Sequence, residues 1–157
     1  MKVFKFITTN ELGNQKLVYR KSEYSLDTIP TINSDIYIFL DNLQIGFDSS
    51  NNCCTQLFGY FPQLIFSEKK EFSIPDAQKG ILMLCEEEHD FIPGDSVRLS
   101  QAEKWVLFYS ESTGYIYFGN NQLSDGIEYL EFFSNCIAAI NDSGELEGLW
   151  LLIDFGE

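Results

Sequence analysis

The sequence predicts an α+β fold: a curved, mainly antiparallel β-sheet with one long aromatic hairpin and one principal amphipathic helix packed on it. Three observations lead there. Residues 105–120 (WVLFYSESTGYIYFGN) carry large side chains on both sides of a polar break. Residues 124–141 repeat apolar residues at three- and four-residue spacing, the helical period. Short runs rich in β-branched and aromatic residues come before them and one closes the chain, an order that suits a sheet with a single late helix.

Taken in order, residues 2–8 alternate Val3, Lys5 and Ile7 with Phe4 and Phe6 and read as an opening strand. Gly13 marks a turn into a second strand at 16–20, and the two are expected to pair as a basic N-terminal hairpin. Pro30 places 28–33 in a loop, and Ile36 to Leu40 is apolar enough for a buried strand. Residues 48–52 read as loop. Gly59 and Pro62 make 57–66 irregular, with a short strand expected at 63–66. Ile81 to Cys85 reads as another strand, running into the acidic stretch 86–90, and Pro93-Gly94-Asp95 turns the chain towards the hairpin.

In the hairpin, Trp105, Leu107 and Tyr109 alternate with Val106 and Phe108, and Tyr115 and Tyr117 with Ile116 and Phe118. Gly114 can supply the positive φ that the turn requires. The helix is expected over 124–141 from Leu123, Ile127, Leu130, Phe133, Ile137 and Ile140, with Ser124 as N-cap, Asp125 and Glu128 at the positive end of the dipole, and Gly144 beyond the end. Phe132 falls on the outer stripe with Asp125, Glu128 and Asn135, so that either the apolar face is wide enough to include it or an aromatic side chain projects among acids. Leu149 to Phe155 reads as a closing buried strand.

The length of 157 residues fits one globular domain, 1–157. Its 24 acids against 10 Lys and Arg give a net charge of -14, which argues against nucleic acid or an anionic membrane as direct partner and favours a basic protein. The charge is segregated: residues 1–22 hold five basic groups and one acid, 23–104 hold 14 acids and five basic groups, and 105–157 hold nine acids and no Lys or Arg. Solubility alone also accounts for acidity of this size. No apolar leader or membrane-spanning run is visible, and Cys53, Cys54, Cys85 and Cys136 lack CxxC spacing, so reduced thiols in the cytoplasm are expected.

Candidate chemistry is thin. Glu86, Glu87, Glu88, His89 and Asp90 are ligand types, but consecutive residues cannot all converge on one ion, and a solvated acidic loop is the ordinary reading. Cys53 or Cys54 with His89 has the composition of a nucleophile and base, but nothing brings them together in sequence. Residues 141–144 fail as a calcium loop, because aligning Gly144 with the loop glycine puts Ala139 at the first ligand position. Phosphate-binding loops, GxSxG elbows and HExxH helices are absent, so no catalytic residue, metal or cofactor is assigned. What remains is a surface on which carboxylates steer a basic partner and aromatic anchors hold it.

The stretch EKWVLFYSESTGYIYFGNN, followed by the expected helix in a small acidic chain, resembles the immunity proteins of bacterial contact-dependent growth inhibition and related polymorphic toxin systems. The resemblance covers roughly the last third of the chain. It implies a cytosolic protein that binds a cognate basic toxin domain, such as a nuclease, and neutralises it by covering the active site without catalysis. The basic N-terminal segment departs from a uniformly acidic inhibitor. The residues expected to meet the toxin are Glu86, Glu87, Glu88, Asp90, Glu111, Asp125 and Glu128, with Tyr115, Tyr117 and Phe132 as anchors. The alternative from another class is a small-molecule-binding or enzymatic α+β domain whose aromatic hairpin walls an apolar pocket.

Overall fold

The computed structural model describes residues 2–156. Its strands are β1 (Phe4–Thr8), β2 (Lys16–Arg20), β3 (Ser25–Ile29), β4 (Ile36–Leu40), β5 (Leu43–Asp48), β6 (Cys53–Tyr60), β7 (Glu68–Lys69), β8 (Gln78–Leu84), β9 (Ser96–Arg98), β10 (Val106–Tyr109), β11 (Tyr115–Gly119), β12 (Glu128–Phe133), β13 (Cys136–Ile140) and β14 (Leu146–Phe155). Two short 3-10 helices, Pro62–Phe66 and Ser100–Lys104, are the only helical segments among the described residues. The fold is therefore all-β, and the α+β expectation is corrected: the principal amphipathic helix is absent.

The segment read as that helix forms the β12–β13 hairpin. Phe133 pairs with Cys136 around Ser134 and Asn135, and Asn135 takes the left-handed φ of 63° that an asparagine tolerates. The reason lies in burial. A helix of this spacing would bury one stripe, but every residue of β13 (CIAAI) is buried. Cys136, Ala138 and Ile140 face the main core, while Ile137 and Ala139 face a second cluster on the opposite side of the sheet. A short run that is apolar at every position suits a strand covered on both faces as well as it suits a helix.

Three further expectations change. The basic N-terminal hairpin does not form, because β1 pairs antiparallel with β8 and β2 pairs with β3. Residues 63–66 belong to a 3-10 helix, with Pro62 at its start. Strands β3, β5 and β6 fill stretches that carried no strand prediction. Their hairpins turn through Tyr24, Asp41 and Asn52, non-glycine residues at positive φ that give weak turn signals in sequence. The expected strands at 16–20 and 36–40 and the aromatic hairpin are present, with Gly114 at φ 81° in its turn.

The ten residues of β14 organise the sheet. Its first part lies between β13 and β11, both antiparallel, and its last three residues pair parallel with β2. The path β8–β12–β13–β14–β2–β3–β6 returns to β8 through the Cys53–Met83 bridge, so the ladder closes around the main core. Strands β5, β4 and β9 extend from β6, and β10 extends from β11.

Alternation in the hairpin splits its side chains between two environments. Leu107, Tyr109, Ile116 and Phe118 turn to the main core, whereas Val106, Phe108, Tyr115 and Tyr117 turn to the outer cluster. Phe118 packs edge-on against Trp105 at 5.0 Å and Phe61 at 5.2 Å, tying the hairpin to the segment before the first 3-10 helix.

Gly119 and Gly148 stand opposite each other across β11 and β14. A Cβ on Gly119 would lie 2.4 Å from Gly148 Cα and 2.7 Å from Glu147 O, and one on Gly148 would lie 2.8 Å from the Tyr117 ring. The close approach lets the Tyr117 ring lie over the strand pair. Gly119→Ala is expected to lower unfolding free energy by about 1–3 kcal/mol, since backbone must move to admit the methyl. Urea denaturation checks this, and an unchanged midpoint would mean that the strands can separate freely at this point.

Candidate partner-binding surface

The acidic loop after β8 is largely engaged with its own chain. Glu86 accepts hydrogen bonds from Asn52 Nδ2 at 2.6 Å and the Phe91 N–H at 3.3 Å. Glu87 pairs with Lys2 Nζ at 3.0 Å, and Glu88 accepts the Lys2 backbone N–H. The hydrogen bond and charge of Lys2 hold the Glu87 carboxyl below the usual range, and the same contact raises the Lys2 ammonium. His89 stacks edge-on against Phe91 at 4.6 Å, and Asp90 is exposed.

Lys2 connects this loop to Glu128. Together with Lys5, Asp142 and Gly144 they line a cleft of about 220 Å³ between β1 and the start of β12. The Asp142 carboxylate also lies beside Gly126, the residue after Asp125. Glu87, Glu88, Asp125 and Glu128 therefore share one end of the molecule with Asp142, which the sequence reading did not select. Glu111 does not join them. It lies in the β10–β11 turn, 3.7 Å from Lys69 Nζ. The register sets Tyr115 opposite Leu152 and Ile140 opposite Leu146, so six residues of β14, roughly 20 Å, separate the two ends.

Glu128 borders a second depression, of about 390 Å³, with Asp76, Ile127 and Tyr129 among its walls. Tyr129 is half-buried there on the outer face, Glu128 leaves β12 towards the opposite face, and neither Asp76 nor Glu128 has an ion pair among the described residues. A depression with acidic residues on its border and an aromatic wall suits a cationic side chain from a partner. Asp76 was missed because it follows Pro75 in an unpatterned segment that only the fold brings beside β12.

The expected anchors separate sharply. Phe132 is 5% exposed in the main core, in contact with Phe133 at 5.0 Å, and cannot reach a partner. The cause is a register shift between Glu131 and Phe133 that turns both phenylalanines inward. Tyr117 is also buried: its ring lies 4.8 Å from Trp150, its hydroxyl donates to Asn120 O at 2.5 Å, and burial pushes its phenol far above the ordinary value. Tyr115 alone is half-buried at the surface, donating to Asn135 Oδ1 at 3.1 Å, with burial raising its phenol. The outer face instead presents Phe72, Phe108 and Tyr129, all half-buried. The alternation that placed Tyr115 and Tyr117 on one face also places Phe108 there, directly opposite Tyr117.

A buried network holds the acidic end in shape. Glu147 is 5% exposed, and its carboxylate accepts the Ser124 N–H at 2.9 Å, Ser124 Oγ at 2.7 Å and Asn141 Nδ2 at 2.9 Å. Burial alone would raise this carboxyl, but the donors outweigh it and hold it below the usual range. Ser124, read as a helix N-cap, thus spends its donors on a carboxylate of β14.

Cys53, Cys54 and Cys136 offer no activated nucleophile. Burial raises Cys53 and pushes Cys54 and Cys136 far up, which disfavours the thiolate. Among the described residues no group of three or more His, Cys, Asp or Glu is placed to hold a metal ion, and no helix is long and apolar enough to cross a membrane. No protein-family model matches the chain, and no curated protein matches it significantly.

Proposed function

We propose that this chain is an immunity-type inhibitor that acts in the cytosol. It binds a basic protein, a toxin domain such as a nuclease, and neutralises it by covering the active site with no catalysis of its own. One observation carries the reading. The segment 105–157, with nine acids and no Lys or Arg, supplies β10, β11, β14, β13 and β12, which are successive neighbours in one sheet. Eight of those acids lie within the described residues. The acids of this segment thereby belong to one run of neighbouring strands and its two ends, beside a face of half-buried aromatic rings.

Four of the five N-terminal basic groups are engaged within the chain, and the fifth, Lys5, lines the cleft beside Glu128. Lys16 pairs with Asp154 at 3.2 Å, Arg20 with Asp27 at 2.9 Å and Lys2 with Glu87. Lys21 lies over the Phe155 ring at 5.2 Å. A net charge of -14 speeds encounter with a cationic active site and disfavours direct binding of nucleic acid or anionic membrane. Carboxylates can then occupy the places where a nuclease holds substrate phosphates.

A low-salt pull-down from the native organism, eluted with a salt step, tests the reading. The expected product is a stoichiometric basic protein whose toxic activity falls when this chain is added back. The double variant Asp76→Lys/Glu128→Lys is expected to slow association about tenfold or more at low salt and to flatten its salt dependence. Reversing Glu86, Glu87 and Glu88 to Lys should do less, because these groups already face Lys2 and Asn52. Absence of a suppressible basic partner, or full-rate inhibition by the Asp76/Glu128 variant, would end the proposal in this form.

A further inference from the structure

The outer face also carries a pocket of different chemistry. Phe108 and Tyr117 stand opposite each other on β10 and β11, Trp150 of β14 adjoins Tyr117, and Phe72 crosses the Tyr117 ring at 6.4 Å. With Lys70 and Asn121 these rings line a pocket of about 220 Å³. A second depression of about 710 Å³ adjoins it and shares Lys70, Phe108 and Asn121.

Lys70 is the distinctive member. Its backbone N–H donates to Tyr109 O at 3.0 Å, which fixes where the side chain starts. Its ammonium lies 4.6 Å from the Phe108 ring centroid and makes no ion pair or side-chain hydrogen bond among the described residues. In a chain with 24 acids, a cation left on an aromatic ring beside an apolar pocket retains its capacity for an anion. Its acidic sequence neighbour Glu71 is engaged elsewhere, accepting from Ser110 Oγ at 2.9 Å and from Ser112 Oγ. Glu68 borders the outer depression and limits a ligand to one anionic group close to Lys70. The Asn121 amide is exposed at the rim and adds donors and an acceptor.

We propose that this pocket binds a small organic anion, a flat apolar or aromatic body resting on Phe108, Phe72 and the edges of Tyr117 and Trp150 with one carboxylate or equivalent group on Lys70. An apolar concavity with few convergent polar groups is the ordinary form of a small-molecule site. The proposal stands apart from the basic-partner reading, since it uses neither Asp76 nor Glu128.

The test uses the full chain and two probes of one shape, 2-naphthoate and 2-naphthylmethanol, read by Trp fluorescence and by amide chemical shifts. Saturable binding of the acid is expected, about three- to fivefold tighter than the alcohol, with shifts centred on residues 70–73, 108 and 120–123. Lys70→Gln should bring the acid to the affinity of the alcohol and leave the alcohol unchanged, whereas Lys69→Gln should change neither. Lys70 is exposed, so both variants should retain the parent unfolding midpoint. No saturable binding, equal affinity for acid and alcohol, or an acid preference that survives Lys70→Gln would each overturn the assignment.

Discussion

Phe132→Ala is expected to lower the unfolding free energy by about 3–5 kcal/mol, the range for truncating a buried phenylalanine. The side chain is 5% exposed and lies in the main core beside Phe133, so its removal leaves a void bounded by a strand pair that cannot easily collapse. The same variant separates two roles for this residue. If Phe132 only fills the core, the protein that remains folded binds a partner with parent affinity. Denaturant titration gives the first quantity, and partner binding per folded molecule gives the second. An exposed anchor would show the opposite pattern, with stability kept and affinity lost.

Glu147→Gln is expected to lower stability at neutral pH by about 2–3 kcal/mol, the scale of hydrogen bonds to a charged group together with the penalty for a misplaced donor. Three donors from Ser124 and Asn141 converge on this carboxylate, and glutamine would point an NH2 at one of them. The pH dependence has a definite sign. The folded carboxyl titrates below its unfolded value, so its contribution is complete above the unfolded pKa and is lost as pH falls through the folded one. The gap between parent and variant should therefore be widest at neutral pH and shrink in acid, below about pH 4. Urea midpoints at pH 7 and pH 3 measure it. A gap that stays constant would mean that Glu147 acts by shape alone.

Parts of this architecture were legible in the chain because the relevant forces are local. Strand periodicity, Gly114 in the turn and the aromatic alternation place the 105–120 hairpin and the division of its side chains between two faces, but not the burial of Tyr117 on one of them. Ile36 to Leu40 and Lys16 to Arg20 are read correctly for the same reason. The β12–β13 hairpin was not legible, because Leu130, Phe133, Ile137 and Ile140 fit a helical stripe, and the deciding fact is burial of Ile137 and Ala139 on the far face. That burial depends on Trp150 and Tyr117, which come from other strands. Asn135, placed on the outer stripe of the expected helix, instead makes the turn at φ 63°.

The candidate surface divides along the same line. Sequence by itself determined the charge segregation and the concentration of aromatic residues near the C-terminal third, since both are sums over composition. Only the tertiary structure decided which of those groups are free to meet a partner. It buried Phe132 through a one-residue shift in register, covered Tyr117 with the packing that two facing glycines permit, and engaged Glu86, Glu87 and Glu88 with Lys2 and Asn52. It also brought Asp76 to Glu128 and left Lys70 beside an aromatic pocket. Pairing, register and closure of a sheet join residues far apart in the chain, and accessibility follows from those long-range choices. Charge and local periodicity do not.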